Sequence, residues 1–303
     1  MPRLNVYLSE DVYALAKRRR DSANLSDICA RAIRDELSAN ETYRSAAGLL
    51  AKLRSPSDIE LELAKRFGLK DVRVAGITDA SETRDAIGRA AAKYLDWIVC
   101  DGSLLACAGG RQMWCMVRNL SPRRVRTTIT ALGLHRADPQ LLHAHPNTLA
   151  TLLSLLYAPR SAAHVIGETG GADAWRSSLP MRPHPSYFVI SSCSLFERES
   201  QFADLLGHTA ADRAIKLGAC VDFAYNFLDE HGNEISLPID SPAFKLGLQA
   251  LKDLSKREDA RVVLVAGGIE KSGAINTALK TTACNTLITD TITAARLIEK
   301  GGG

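Results

Sequence analysis

The sequence predicts an α/β protein: a large, doubly wound parallel sheet preceded by a small strand–helix–helix module. Three observations carry that expectation. Short apolar, mostly β-branched runs alternate with helix-period stretches over most of the chain, the pattern of strands buried on both faces and linked by helices. The clearest such unit is residues 262–299, VVLVAGGIEKSGAINTALKTTACNTLITDTITAARLIE. The first forty residues differ: a period-2 run is followed by two short amphipathic stretches.

In the N-terminal module, Leu4, Val6 and Leu8 alternate with Arg3, Asn5 and Tyr7, giving a strand one apolar and one polar face. Ser9 is an N-cap, and Glu10 and Asp11 favour the dipole of the helix it opens. Val12, Leu15 and Ala16 form its apolar side, and Lys17 to Arg20 close its last turn. Ser26 can cap a second helix with Ile28, Cys29, Ala32, Ile33 and Leu37 on one face. One strand and two short helices cannot bury a core alone, so the unit must pair with a second copy or rest on something larger.

The stretch RLNVYLSEDVYALAKRRRDSANLSDICARAIRDEL resembles the ribbon-helix-helix family. The resemblance implies an intertwined dimer whose two-stranded ribbon enters the DNA major groove. Arg3, Asn5 and Tyr7 would face the bases, Arg suiting guanine and Asn suiting adenine. The backbone at Leu25 and Ser26 would grip a phosphate through free N–H groups. The bland alternative is a dimerisation module with a solvated polar face. Tyr7 is bulkier than the small polar residue expected at a base-reading position. Residues 41–57 read as a linker, with a short apolar patch at Ala46, Leu49, Leu50 and Leu53.

From residue 58 the strands and helices alternate. A helix is expected over 59–67, stopped by Gly68. Strand 72–77, helix 83–94 and strand 104–107 follow. Gly109, Gly110, Arg111 and Gln112 then open a helix ending near Asn119, and a glycine turn at a helix start can cradle an anion. A strand over 125–132, a helix over 147–156, a loop over 164–171 and a strand over 187–192 are expected next. Asp229, Gly232 and Asn233 make a hairpin turn. Asp240 can cap a helix beginning near Pro242. In the last unit Gly267 and Gly268 turn the chain between strand and helix, and Asp290 with Thr291 can cap the final helix.

AGGIEK and LITDTITAARLIE, with ELELAKRFGLKDVRV, IGRAAAKYLDWIVCDG and LGACVDFAYNFLDEHGNEI, resemble the effector-binding domain of SorC/DeoR-type bacterial transcription regulators over about residues 58–300. The resemblance implies a Rossmann-like sheet akin to the sugar-phosphate isomerase and CoA-transferase superfold. It also implies that Asp222 holds the acidic position that contacts effector. Strand 187–192 sits where the family usually has a strand ending in glycines, a resemblance that implies Ser191, Ser192 and Ser194 on a pocket rim. Gln112 stands where the family usually has a hydroxyl residue, ALGLHRADPQ where it often has a glycine pair, and Thr291 where it often has an acid. Asp222, Glu270, Lys271 and Asp290 all fall at expected strand ends, where such sheets bind ligands. The pocket residues are thus Gly109, Gly110, Arg111, Gln112, Asp222, Gly267, Gly268, Glu270, Lys271 and Asp290. The expected ligand is a sugar, phosphosugar or related small anion.

Composition bounds the alternatives. The net charge of +4 over 303 residues, with 46% hydrophobic and 24% charged residues, describes an ordinary globular chain with any nucleic-acid surface confined to one region. Seven cysteines without a CxxC suit reduced thiols in a cytoplasm. His143 and His145 lack a cysteine pair, so no metal is expected, and no cofactor either. The longest apolar run, near 149–158, is too short for a bilayer, and a basic–apolar leader is not evident after Met1. The leading expectation is therefore a cytoplasmic, ligand-responsive regulator that binds operator DNA as a homodimer or homotetramer, with no membrane partner. A sugar-phosphate isomerase or deaminase is the alternative, although no His/Asp or Glu/His pair stands out for acid–base work. A plasmid-maintenance binder would account for the N-terminus and leave the large domain unexplained.

Overall fold

The computed structural model describes residues 56–77, 80–133, 139–157, 162–164, 186–197, 208–236 and 246–299. The chain divides into two units, residues 1–49 and 50–303, and every described residue belongs to the second. The N-terminal module with Arg3, Asn5, Tyr7, Leu25 and Ser26 lies outside the described residues, as do Asp240 and Pro242.

Helix α1 (Pro56–Phe67) leads into β1 (Asp71–Ala75), α2 (Thr83–Ile98), β2 (Leu104–Ala108) and α3 (Arg111–Val117). Then come β3 (Thr128–Leu132), α4 (Pro146–Leu156), β4 (Ala162–His164) and β5 (Tyr187–Ser191). A short excursion follows: β6 (Cys193–Leu195), α5 (His208–Lys216), β7 (Val221–Phe223) and β8 (Asn226–Leu228). The chain returns through α6 (Leu248–Lys256), β9 (Ala260–Val265), α7 (Ser272–Lys280), β10 (Thr286–Asp290) and α8 (Thr291–Glu299).

Seven strands form one parallel sheet in the order β1-β10-β9-β5-β2-β3-β4. Strands β6-β7-β8 form a separate antiparallel sheet. The parallel α/β sheet expected from the sequence is the observed one. Its inner strands β2 and β10 are buried at every residue, as a sheet covered on both faces requires. Edge strand β1 is only partly buried. The right-handed crossover rule puts α2, α3 and α4 on one face and α6 and α7 on the other. Accordingly α2 packs on α3 and α3 on α4, while α6 packs on β9.

Gly68 ends α1 with φ +64°, as its C-terminal glycine role requires. Several boundaries move. The strand expected over 125–132 starts only at Thr128, where it meets β2 through the Leu104↔Thr128 pair. His164, expected to open a loop, ends β4, whose partner is β3. Helix α2 reaches Ile98, four residues beyond the expected Tyr94. Its Gly88 faces the backbone of α3: an added Cβ would stand 2.8 Å from both the carbonyl carbon and oxygen of Cys115. Gly88→Ala should therefore lower unfolding stability by about 1–3 kcal/mol through overpacking, despite the ~1 kcal/mol helix-propensity gain. Urea denaturation of both proteins checks the sign, and a stabilised variant would show that α2 and α3 are not in close backbone contact.

Candidate functional site

Three strand ends meet at one edge. Cys107 of β2 pairs with Ile190 of β5, and Ser191 pairs with Leu264 of β9, so the loops after these strands start at one level. The chain leaves β2 toward β3 on one side and leaves β5 toward β9 on the other. The strand order thus reverses between β5 and β2, the place where open α/β sheets form a ligand crevice.

The first loop holds Gly109 to Gln112. A Cβ on Gly109 would lie 2.7 Å from Pro146 Cδ and 2.9 Å from the Ala144 carbonyl, so only glycine fits. Gly110 has φ +116°, and a Cβ there would stand 3.9 Å from Ser192 Oγ. Both amides are engaged from within the chain: Gly110 N–H donates to the Ala144 carbonyl at 2.8 Å, and Gly109 N–H to the Tyr225 hydroxyl at 2.7 Å. Arg111 is exposed, and Gln112 Nε2 donates to the Arg84 carbonyl at 3.1 Å. With seven residues, α3 is also too short for a strong terminal dipole. An anion cradle at this turn would therefore need the present hydrogen bonds to exchange.

The second loop follows β9. A Cβ on Gly267 would overlap Asp290 Oδ2 and Ile87 Cδ1, and Gly268 holds φ +101° beneath the folded-back carboxylate of Glu270. Gly268 N–H donates to Asp290 Oδ2 and to Thr293 Oγ1, each at 2.9 Å. One 3-10 turn (Ile269–Lys271) then carries the chain into α7. Lys271 is half-buried.

Asp290 is the N-cap the sequence predicts, and more. Its Oδ1 accepts from Ile292 N–H at 3.0 Å and Thr293 N–H at 2.8 Å, while Oδ2 accepts from Thr293 Oγ1–H at 2.6 Å as well as from Gly268. The residue is fully buried. Four donors thus occupy both oxygens, and Asp290 supports the second loop from below.

The antiparallel sheet supplies the third wall. Ser194 of β6 pairs with Asp222 of β7, and Ala224 N–H donates to the Ser192 carbonyl at 3.3 Å. Burial pushes the Cys193 thiol far up; the Lys271 ammonium pulls it partly down and the Asp222 carboxylate adds to the rise. Asp222 lies across the ladder from Ser194, and the turn that carries Lys271 packs against β6, so residues far apart in sequence flank the same short strand. The structure brings together Lys271, Asp222, Ser192 and the glycine turns. It places Arg111 and Glu270 on the exposed margin and Asp290 beneath.

Sequence reasoning missed Cys193, Tyr225 and Asn226. Ala224 and Tyr225, both with positive φ (+50° and +65°), form the two-residue turn between β7 and β8. Such a turn ordinarily carries Asn-Gly or Asp-Gly, so AY gave no hairpin signal. The following Asn226 was the available clue. Its buried Nδ2 donates to the carbonyls of Phe223 at 3.3 Å and of Ala224 and Leu246 at 3.1 Å, clamping the turn.

A parallel α/β sheet with two glycine turns flanking its switch point has the architecture in which open α/β domains bind small ligands. Among the described residues, no group of three or more His, Cys, Asp or Glu is placed to hold a metal ion, and no helix is long and apolar enough to cross a membrane. The chain belongs to the family described as "Putative sugar-binding domain", whose model matches residues 52–157 and 197–299. It is similar to the transcriptional regulator LsrR of Enterobacter sp. (strain 638), 27% identical over 254 residues that cover 80% of this chain and 76% of that protein. The fold matches the probable sor operon regulator from Shigella flexneri with a TM-score of 0.67 at 18% identity, covering 81% of this chain and 100% of that one. It also matches the full-length sorbitol operon regulator SorC from Klebsiella pneumoniae, with a TM-score of 0.64 at 20% identity, covering 81% and 82% of the two chains.

Asp290→Ala removes a helix cap, about 1 kcal/mol, and leaves the buried Thr293 hydroxyl without the carboxylate it donates to, about 1–3 kcal/mol, while Gly268 N–H keeps only Thr293 Oγ1. We expect a stability loss of about 2–4 kcal/mol in chemical denaturation. An unchanged midpoint would mean that the second loop holds its shape without Asp290.

Proposed function

We propose that the protein is a cytoplasmic transcription regulator that senses a sugar, phosphosugar or related small anion in the switch-point cleft and binds operator DNA through residues 1–40. The observation that carries the reading is that Asp222, paired with Ser194 across β6 and β7, and the Lys271 turn, packed against β6, lie at one sheet edge of a family named for sugar binding. Lys271 supplies a point charge for a phosphate or carboxylate, and Asp222 accepts hydrogen bonds from hydroxyl groups. Gly267, Gly268 and the Asp290 cap fix the turn from which Lys271 projects. Glu270, Arg111 and the Gly109–Gly110 turn border the same edge, with Gln112 tying that border to α2. The relatives named above are regulators, which favours a sensor over a sugar-phosphate isomerase or deaminase.

For the N-terminal module the support is the sequence pattern: a half-apolar strand that needs a partner strand, with Arg3, Asn5 and Tyr7 on its polar face and a phosphate grip at Leu25 and Ser26. That module makes the active species at least a dimer on double-stranded DNA. Ligand changes operator affinity only by preferring one arrangement of the paired chains, and a coupling of about 1–3 kcal/mol gives a 5–150-fold response.

The testing experiment is a thermal-shift screen of the full chain against sugars and phosphosugars, followed by operator retention with and without the hit. Lys271→Ala should keep ligand-free operator binding near the wild-type level and abolish the response. Loss of binding without ligand, or an intact response, would move the pocket elsewhere. On the DNA side, Arg3→Ala should cost about 1–3 kcal/mol at the selected operator and relax its base preference, as read by binding-site selection. An unchanged preference would remove Arg3 from the base-reading set.

A further inference from the structure

We propose that Tyr225 sets the size of the ligand this cleft accepts, a specificity role that rests on the sensing function above. The β7–β8 turn lies across the ends of three neighbouring strands. Ala224 N–H bonds the Ser192 carbonyl after β5, the Tyr225 hydroxyl takes the Gly109 amide after β2, and the Tyr225 ring lies against Gly133 after β3. The contact with Gly133 is so close that a Cβ there would overlap the ring, and Gly133 itself has φ +79°. The strand order reverses between β5 and β2, so among the described residues the ring covers the β2–β3 side of the crevice. Among the described residues, the other side is bordered by Ser192, Asp222 and the Lys271 turn.

The placement is costly and it is locked. Two adjacent non-glycine residues at positive φ are each strained by about 1 kcal/mol or more, and such strain persists only where surroundings impose it. The Asn226 amide imposes it through three carbonyls. Burial, reinforced by the Asp222 charge, holds the Tyr225 hydroxyl in its protonated form, so the hydroxyl stays a neutral acceptor for Gly109 N–H across the working pH range. A glycine at 225 would relieve the backbone strain and open the space over Gly133, while Tyr225→Phe would free the amide and leave the wall standing. The remaining half of the crevice suits a ligand with one anionic end on Lys271 and a few hydroxyl groups within reach of Asp222 and Ser192, hence a short chain rather than a pyranose ring.

The test uses the full chain and a graded set of probes: dihydroxyacetone phosphate, erythrose 4-phosphate, ribose 5-phosphate and fructose 6-phosphate. Thermal shifts are measured for the wild type, Tyr225→Gly and Tyr225→Phe, with Tyr225→Ala as the second opening variant should Tyr225→Gly not fold. The expected result is a response to the short probes in the wild type and in Tyr225→Phe, and at least a tenfold affinity gain for the five- and six-carbon probes in the opened variant. A response confined to the opened variant supports the same wall. Identical size preferences in all proteins overturn the sizing role while leaving the sensing function intact. A matching gain in Tyr225→Phe also overturns it, because the ring would then not be the barrier. Silence of every protein toward every probe overturns the sizing role and removes phosphosugars from the sensing function. Hydrogen exchange at the Gly109 amide gives a ligand-free readout: it should quicken in Tyr225→Phe, and an unchanged rate would place the hydroxyl elsewhere and refute the proposal.

Discussion

The arrangement of the cleft depends on one buried carboxylate. Asp290 lies at the end of β10 with no exposed surface, and an isolated charge there would be strongly unfavourable. Four donors resolve it, and each fixes a different piece of chain: two amides and a hydroxyl at the start of α8, and the Gly268 amide after β9. The same oxygen that accepts from Gly268 forbids any side chain at Gly267. The turn that carries Lys271 is thus shaped by the requirement that Asp290 be satisfied. Thr293 shares the work, its hydroxyl accepting from Gly268 while donating to Asp290.

The other wall obeys a different constraint. Where the second loop is built from relaxed glycines, the β7–β8 turn is built from Ala224 and Tyr225 in a conformation that glycine or asparagine would occupy more cheaply. Dense hydrogen bonding from Asn226 holds it. The two walls therefore differ in how each would respond to substitution. Changes under Asp290 act through loss of a buried polar network, whereas changes at Tyr225 release strain and open volume. That difference separates positional effects on Lys271 from effects on the shape of the cleft.

Much of the sheet was legible because local signals and tertiary environment agree. The run at residues 262–265, the glycine pair and the capped helix over 291–299 all follow from β-branching, positive φ and capping, and each has its expected place. The failures share a cause. Strand β4 is Ala-Ala-His, with no strand propensity of its own, and exists through its ladder with β3. Val125 to Thr127 look as strand-like as the residues after them, yet the ladder begins where β2 begins. Asp222 was singled out through a family segment, not through periodicity, and its place on β7, opposite Ser194, had no local signal. Tyr225 was not found because its turn breaks the usual hairpin chemistry and its partners, Gly109 and Gly133, lie about a hundred residues away.

The packing around the cleft also bears on how binding there could reach the start of the domain. Lys271 stands on the loop that Asp290 supports, Asp290 caps α8, and α8 packs on α1, the first element of the described chain. Arg66 of α1 donates to the Ile298 carbonyl near the end of α8 at 2.6 Å, closing that contact with a hydrogen bond. Each link is short and well satisfied, which makes the route stiff. A stiff route moves as a body and does not dissipate a displacement at the loop, but it supplies no switch by itself. In the regulator proposed above, the two states needed for a response come from the arrangement of paired chains, with the ligand favouring one through differential contacts. On the proposed function, the domain acts as a rigid sensor whose loop position is set by Asp290, and the bistability belongs to the proposed assembly.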